Sequence, residues 1–276
     1  MIEDVVTPTG PYRLRLMCRT GTWDAPLADG STATAWQQPD GRIVVRAPTE
    51  AGIAHARFML ALDDDTSAFH SRFERDPLLG PTVRRLVGYR PLRLATVTHA
   101  ALRAMCGQLI EARRAMIIER AILRRLGTVV ATRERLAALG PADLRADGLA
   151  ISRATTLVRL VRSLDLERLR SHDTAIVLQR LGRERGIGPW SVGVIALEGL
   201  GRYDHGLVGD LGLVKLVSSL EGRWVEAAET AALLAHYGEW QGLAGQMLML
   251  GWSRGLIPGA DPDLGRRTRL RTNRAA

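Results

Sequence analysis

The sequence predicts a mainly α-helical protein with a small α+β domain at its amino terminus. Three observations carry that expectation. From Asp76 onward, apolar residues recur at helical spacing. Residues 10–75 instead hold alternating apolar and polar runs, two of them separated by a turn around Pro39-Asp40-Gly41. Gly186, Ile187 and Gly188 then form a short G-x-G link between two apolar-periodic segments. The expected organisation is an α+β domain over residues 1–75, a helical domain over 76–258 and a basic disordered tail over 259–276.

Taken in order, Tyr12, Leu14 and Leu16 alternate with Arg13 and Arg15, the pattern of a half-buried strand. Residues 32–36 and 42–46 flank the Pro-Asp-Gly turn and predict a hairpin. Residues 49–62 predict a helix, and Asp63, Asp64 and Asp65 read as its solvated end. Thr98 is the predicted N-cap of a helix carrying Leu102 and Met105. The apolar pattern resumes with Met116, Ile117 and Ile122 and stops at Gly127, with Gly107-Gln108 as a break between the two halves. Short helical turns follow around Gly140-Pro141 and Gly148. Ser152 is placed to cap a helix bearing Leu157, Leu160, Val161 and Leu164. Ile176, Val177, Leu178 and Leu181 make one face of the helix before the paired glycines. Pro189 suits the first position of the next, which carries Val192, Ile195 and Ala196. Asp210 opens another apolar-periodic segment, and residues 224–236 and 243–252 supply two more helices. From Pro258 the period is lost, and a stretch with five arginines and no aromatic residue reads as disordered.

With 46% hydrophobic residues in 276, the chain can bury a sizeable core. No run of about eighteen apolar residues occurs, so no membrane span is expected. The first ten residues lack a basic-then-apolar signal, which implies a cytoplasmic, nucleoid-associated protein. Cys18 and Cys106 are far apart and form no C-x-x-C, so no structural disulfide is expected. Histidines 55, 70, 99, 172, 205 and 236 show no ligand spacing, and neither a protein-bound metal nor another cofactor is expected. A net charge of +9 and a pI near 10.7 suit a nucleic-acid partner. Lys215 is the single lysine among 38 basic residues.

The paired glycines let the backbone turn sharply and approach something bulky, and the free N–H groups opening the next helix would attract a phosphate. A plain turn between two helices has the same appearance. Asp210 lies twenty residues beyond Trp190, at the start of a helix. There it can serve simply as an N-cap. In order and spacing, however, the hairpin and this aspartate resemble the helix-hairpin-helix DNA glycosylase superfamily, most closely its alkylpurine (3-methyladenine II-type) branch. The segment Gly107-Gln108-Leu109-Ile110 is similar to a G-Q-L-V segment of the same branch. The resemblance covers roughly residues 76–255.

The resemblance implies a helix-hairpin-helix glycosylase core that flips a damaged base out of duplex DNA and hydrolyses its N-glycosidic bond. Asp210 would be the catalytic carboxylate, stabilising oxocarbenium-like charge and directing the attacking water. Gly186, Ile187, Gly188 and Pro189 would hold the DNA backbone. Gln108 and Leu109 would fill the space of the flipped base, although Leu109 is equally readable as an ordinary core leucine. Lys215 reads as a surface or phosphate-facing residue. Trp190 occupies the position of the Schiff-base lysine of bifunctional relatives, so no lysine-dependent lyase step is expected. Trp190 would also line the base pocket, or else serve as core. Val194 and Met249 stand at pocket positions where the branch usually has aromatic residues, which leaves the substrate open. Two cysteines exclude a four-cysteine iron–sulfur cluster. Glu111, Glu198, Asp204 and His205 are lesser candidates. The expected partner of this monomer is damaged double-stranded DNA, not a membrane. The alternatives are a glycosylase for neutral oxidised or deaminated purines and a non-catalytic damage sensor.

Overall fold

The computed structural model describes residues 1–108 and 110–261. Leu109 and residues 262–276, which hold most of the expected basic tail, lie outside the described residues.

Four antiparallel strands, β1 (Ile2–Val6), β2 (Thr22–Pro26), β3 (Thr32–Gln37) and β4 (Ile43–Ala47), form one sheet in the order β1-β4-β3-β2. The β3–β4 hairpin turns where Pro-Asp-Gly predicted, with Gly41 at φ +93°. Residues 12–16 depart from the strand expectation. Leu14–Leu16 is a 3₁₀ turn, and the Leu14 N–H goes to Gln37 Oε1 (3.0 Å) instead of a ladder. Tyr12 and Leu14 are buried nonetheless, so period-2 alternation marked burial and mistook the backbone.

Helix α1 (Glu50–Met59) covers the sheet and is capped by Thr49, whose side chain accepts from Gly52 N. Thirteen α-helices occur among the described residues. After α1 come α2 (Ser67–Phe73), α3 (Gly80–Arg85), α4 (Val97–Gly107), α5 (Ala112–Arg125), α6 (Arg133–Ala137), α7 (Pro141–Ala146), α8 (Ile151–Ser163) and α9 (Thr174–Gly182). The remainder are α10 (Pro189–Val194), α11 (Leu211–Glu221), α12 (Thr230–Ala235) and α13 (Gln241–Ser253). A π-helical stretch, Ile195–Leu200, continues α10. None of these helices is long and apolar enough to cross a membrane.

Apolar burial falls into two main clusters. One packs the sheet, α1, Ala95 and Val130, and the other runs from Phe69 to Ala260. Ordered packing therefore reaches Ala260, and the Asp261 carbonyl accepts from Trp252 Nε1 at 2.8 Å, inside the stretch expected to be a tail. Two buried arginines join the clusters. Arg90 donates to the carbonyls of Ala61 (2.5 Å), Leu62 (3.4 Å), Pro11 (2.9 Å) and Thr9. Ala61 sits at φ +56°, a conformation costing about 1 kcal/mol or more for a non-glycine residue, and its carbonyl is one of those four acceptors. Arg93 reaches Phe58 O (3.2 Å), Gly201 O (3.0 Å) and the Asp64 carboxylate, which also accepts from Tyr203 Oη at 2.6 Å. Asp64 is thus a bridge rather than a solvated helix end, while Asp63 stays exposed beside Arg57.

Other helix boundaries need correction. The cap of α4 is Thr96, not Thr98. Glu167 accepts from the Val97 and Thr98 amides at 3.0 Å each and fixes the register from outside the helix. Ser152 lies inside the first turn of α8, whose N-cap is Ala150. Met116 and Ile117 are 49% and 57% exposed, and the inward face of α5 is made by Ile118, Glu119 and Ile122. Trp224 is in a loop, because Gly222 at φ +66° ends α11 and α12 begins only at Thr230.

Candidate active site and nucleic-acid interface

The paired glycines do lie between two helices, α9 and α10. Gly186 needs to be glycine twice over. Its φ is +92°, and an added Cβ would come within 2.5 Å of Thr156 Oγ1 on α8. Carbonyls of the turn are tied down from three sides. Gln108 Nε2 donates to Gly186 O (3.0 Å), Arg159 Nη2 to Arg185 O (2.5 Å) and Thr156 Oγ1 to Arg185 O (3.3 Å). Gly188 differs: its φ is −91°, and a Cβ there would meet nothing within 4 Å. Its missing side chain leaves open space on the outer side of the turn. Ile187 is buried and anchors the turn in the main core, Pro189 occupies the first position of α10, and no side chain caps that helix. The amides opening α10 therefore have no side-chain cap at the positive end of the helix.

Asp210 is the N-cap of α11, as its position predicted. Oδ1 accepts from Gly212 N at 2.7 Å, and Oδ2 accepts from Trp190 Nε1 at 2.8 Å. The preceding loop is fixed by Gly209 N to Thr230 Oγ1 (2.8 Å) and Asp210 N to Leu207 O (3.0 Å). Hairpin and carboxylate, twenty residues apart in sequence, therefore meet through the Trp190 side chain. His205, in the loop before Asp210, has the Pro189 carbonyl near its ring. Burial pushes its pKa down, against the opposing pull of that carbonyl.

The remaining candidates lie apart from one another. Gln108, at the end of α4, bonds Ser191 Oγ (2.8 Å) as well as the hairpin, so its amide is engaged within the protein. Val194 and Met249 are 5% and 8% exposed and belong to the main core. Lys215 is exposed on α11, one turn beyond Asp210. Glu198 lies on the π-helical stretch, bonded to Arg103 Nη1 at 2.9 Å, and burial raises its pKa against that guanidinium. Arg103 also binds Glu119. Burial alone would raise Glu119, but hydrogen bonds from His99 and Arg103 outweigh it and hold the carboxyl at about 2. Arg103 thus clamps α4, α5 and the π-helical stretch together, a structural role for Glu198. Asp204 is exposed in the loop before Asp210.

Sequence patterns missed Thr156, Arg159, Ser191 and Gly107 as supports of the site, since each acts through a contact between distant segments. The close approach of Gly107 to Trp190 had one visible sign, the glycine within an otherwise helical pattern.

No protein-family model matches the chain. A DNA-3-methyladenine glycosylase from Bacillus subtilis (strain 168) is 23% identical over 222 residues, covering 74% of this chain and 73% of that protein. Among solved structures, a 3-methyladenine DNA glycosylase from Archaeoglobus fulgidus superposes with a TM-score of 0.76 at 20% identity, covering 91% of this chain and 98% of that one. An 8-oxoguanine glycosylase/lyase from Clostridium acetobutylicum, bound to double-stranded DNA with cytosine opposite 8-oxoguanine, gives 0.70 at 18% identity and covers 92% and 98%. The chain therefore has the fold of the helix-hairpin-helix DNA glycosylases, with a small antiparallel sheet at its amino terminus.

Proposed function

We propose that this protein is a monofunctional DNA glycosylase of base excision repair that flips alkylated purines from duplex DNA and releases them by hydrolysis. One observation carries the reading: the Asp210 carboxylate, at the amino end of α11, is held against the helix hairpin by Trp190. In this scheme the hairpin, with Gly188 open and the start of α10 uncapped by any side chain, takes a backbone phosphate. As the C1′–N bond breaks, its electron pair leaves with the base and positive charge grows on the sugar. Asp210 stabilises that charge and accepts a proton from the attacking water. The relatives with 3-methyladenine in their names support this assignment.

A purine alkylated on a ring nitrogen is cationic and already a good leaving group, so it needs little acid catalysis. That lability carries the preference for lesions such as 3-methyladenine or 7-methylguanine, since Val194 and Met249 are buried in the core and supply no aromatic face. The protein is expected to act as a monomer. No lysine stands at position 190, so the lyase step is absent from the proposal.

A base-release screen over duplexes carrying 3-methyladenine, 7-methylguanine, hypoxanthine or 8-oxoguanine, run with and without borohydride, tests both parts. Release of methylated purines with no trapped protein–DNA adduct is expected. Release of 8-oxoguanine alone would move the substrate to the neutral oxidised class. An adduct that survives Lys215→Ala would point to the terminal amine as a nucleophile.

A further inference from the structure

Both ends of the Trp190 indole are occupied. At one end Nε1 donates to Asp210 Oδ2 at 2.8 Å. At the other, Cη2 lies so close to α4 that a Cβ added at Gly107 would stand 2.6 Å from it. Beside the ring, Ser191 Oγ accepts from Gln108 Nε2 at 2.8 Å, and the same amide reaches Gly186 O at 3.0 Å. The end of α4, the turn of the hairpin and the Asp210 carboxylate are thus joined by Trp190 and Ser191, two consecutive residues.

The chemistry of the contact is one-directional. An indole N–H can only donate, and the other oxygen of Asp210 already accepts from Gly212 N at 2.7 Å. The carboxylate is therefore pinned at both oxygens by neutral donors. A tryptophan that merely offered a face to a base would have no need of a particular heading for its N–H. Here the heading is set from both edges of the ring, by the missing side chain at Gly107 and by the acceptor at Asp210.

We propose that Trp190 is a positioning residue. Its N–H fixes the Asp210 carboxylate in the orientation used for excision, and residue 107 is glycine because the far edge of the ring needs that space. The inference rests on the glycosylase reading of Asp210. Losing the N–H should misplace the carboxylate without altering the surface that meets DNA, and misplacement of this kind costs about 100-fold in rate.

The decisive variant replaces Trp190 by β-(3-benzothienyl)alanine, which keeps the ring's shape and puts sulfur where the N–H was. Single-turnover release of a methylated purine should fall about 10- to 100-fold, while the Kd for the lesion duplex changes less than about threefold. Trp190→Phe and Gly107→Ala should shift the rate in the same direction. The indole ¹⁵N–¹H resonance of Trp190, assigned by its loss in Trp190→Phe, gives a readout independent of turnover. It should move in Asp210→Ala and in Gly107→Ala. A benzothienyl variant with the wild-type rate, or an unmoved resonance in Asp210→Ala, overturns the inference in an active enzyme. So does a loss of duplex affinity as large as the loss of rate, which would make Trp190 a base-binding wall. If the wild-type protein releases no base from any lesion, the glycosylase reading itself fails and takes the positioning role with it.

Discussion

At the scale of single residues, Asp210 combines structure and proposed chemistry in one side chain. As an N-cap it satisfies Gly212 N, and the positive end of α11 lies beneath its charge. Asparagine caps a helix about as well as aspartate does. Asp210→Asn should therefore keep the cap through its one oxygen but set its NH2 against Trp190 Nε1, lowering folding stability by about 1–3 kcal/mol while leaving duplex binding near wild type. Base excision should drop by about 100-fold or more, since the charge is lost together with the acceptor for Trp190 Nε1. A thermal melt paired with a single-turnover assay checks both halves, and a folded variant with normal turnover would remove the carboxylate from the mechanism. Trp190 also bears on the proposed absence of a lyase step. An indole there can donate to a carboxylate but cannot form a Schiff base.

Among the elements, the hairpin makes separate demands on its two glycines. Gly186→Ala places a Cβ at φ +92° and 2.5 Å from Thr156 Oγ1, and should cost roughly 2 kcal/mol or more in a urea melt. Adding Thr156→Ala relieves the collision but not the backbone strain, so stability should recover only in part. Gly188→Ala should leave the melt unchanged, because its Cβ meets nothing within 4 Å of the protein. The same methyl stands on the outer side of the turn and should weaken binding to undamaged duplex by several-fold. If affinity instead stays at the wild-type value, the outer side of the hairpin is not where DNA lies. The two substitutions separate a glycine needed by the fold from one needed by the proposed interface.

For the whole molecule, the net charge of +9 predicts duplex binding that weakens steeply with salt, log K falling linearly with log salt as counterions are released. Acid should weaken the fold in two windows. His55, His70 and His205 all have pKa values pushed below their ordinary 6.5 by burial, and neither ring nitrogen of His70 has a partner. The unfolded chain then binds more protons than the folded one, so stability present above pH 6.5 is lost as pH falls below it. Glu119, held at about 2 against an ordinary 4.5, adds a second loss as pH drops from 4.5 towards 2. Glu198 works in the opposite sense: burial raises its pKa, so its share of stability grows as pH falls towards 4.5. Melting temperature should still decline from pH 8 to pH 5.5, and His70→Leu should flatten that slope. A melt independent of pH over this range would mean that the buried imidazoles are not desolvated.

How much of this was legible in the sequence depends on the range over which each feature is decided. The β3–β4 turn, Pro189 at the start of α10, the paired glycines and the capping aspartate were all readable, because φ preferences and caps act within a few residues. Burial was readable even where the backbone was not, as with Tyr12 and Leu14 in a 3₁₀ turn. Thr96 prevails over Thr98 as the cap because of Glu167, some seventy residues away. Ile118, not Ile117, faces inward because α5 packs on α4 in a register that 3.6-residue periodicity alone leaves free. The contact between Trp190 and Asp210 belongs to this second class. Sequence spacing placed both residues at the site, but their hydrogen bond depends on Gly107 and Gln108 arriving from α4. Local conformational preference made the turns and caps readable, the resemblance named the residues proposed for the chemistry, and only packing between distant segments brought them within hydrogen-bonding distance of one another.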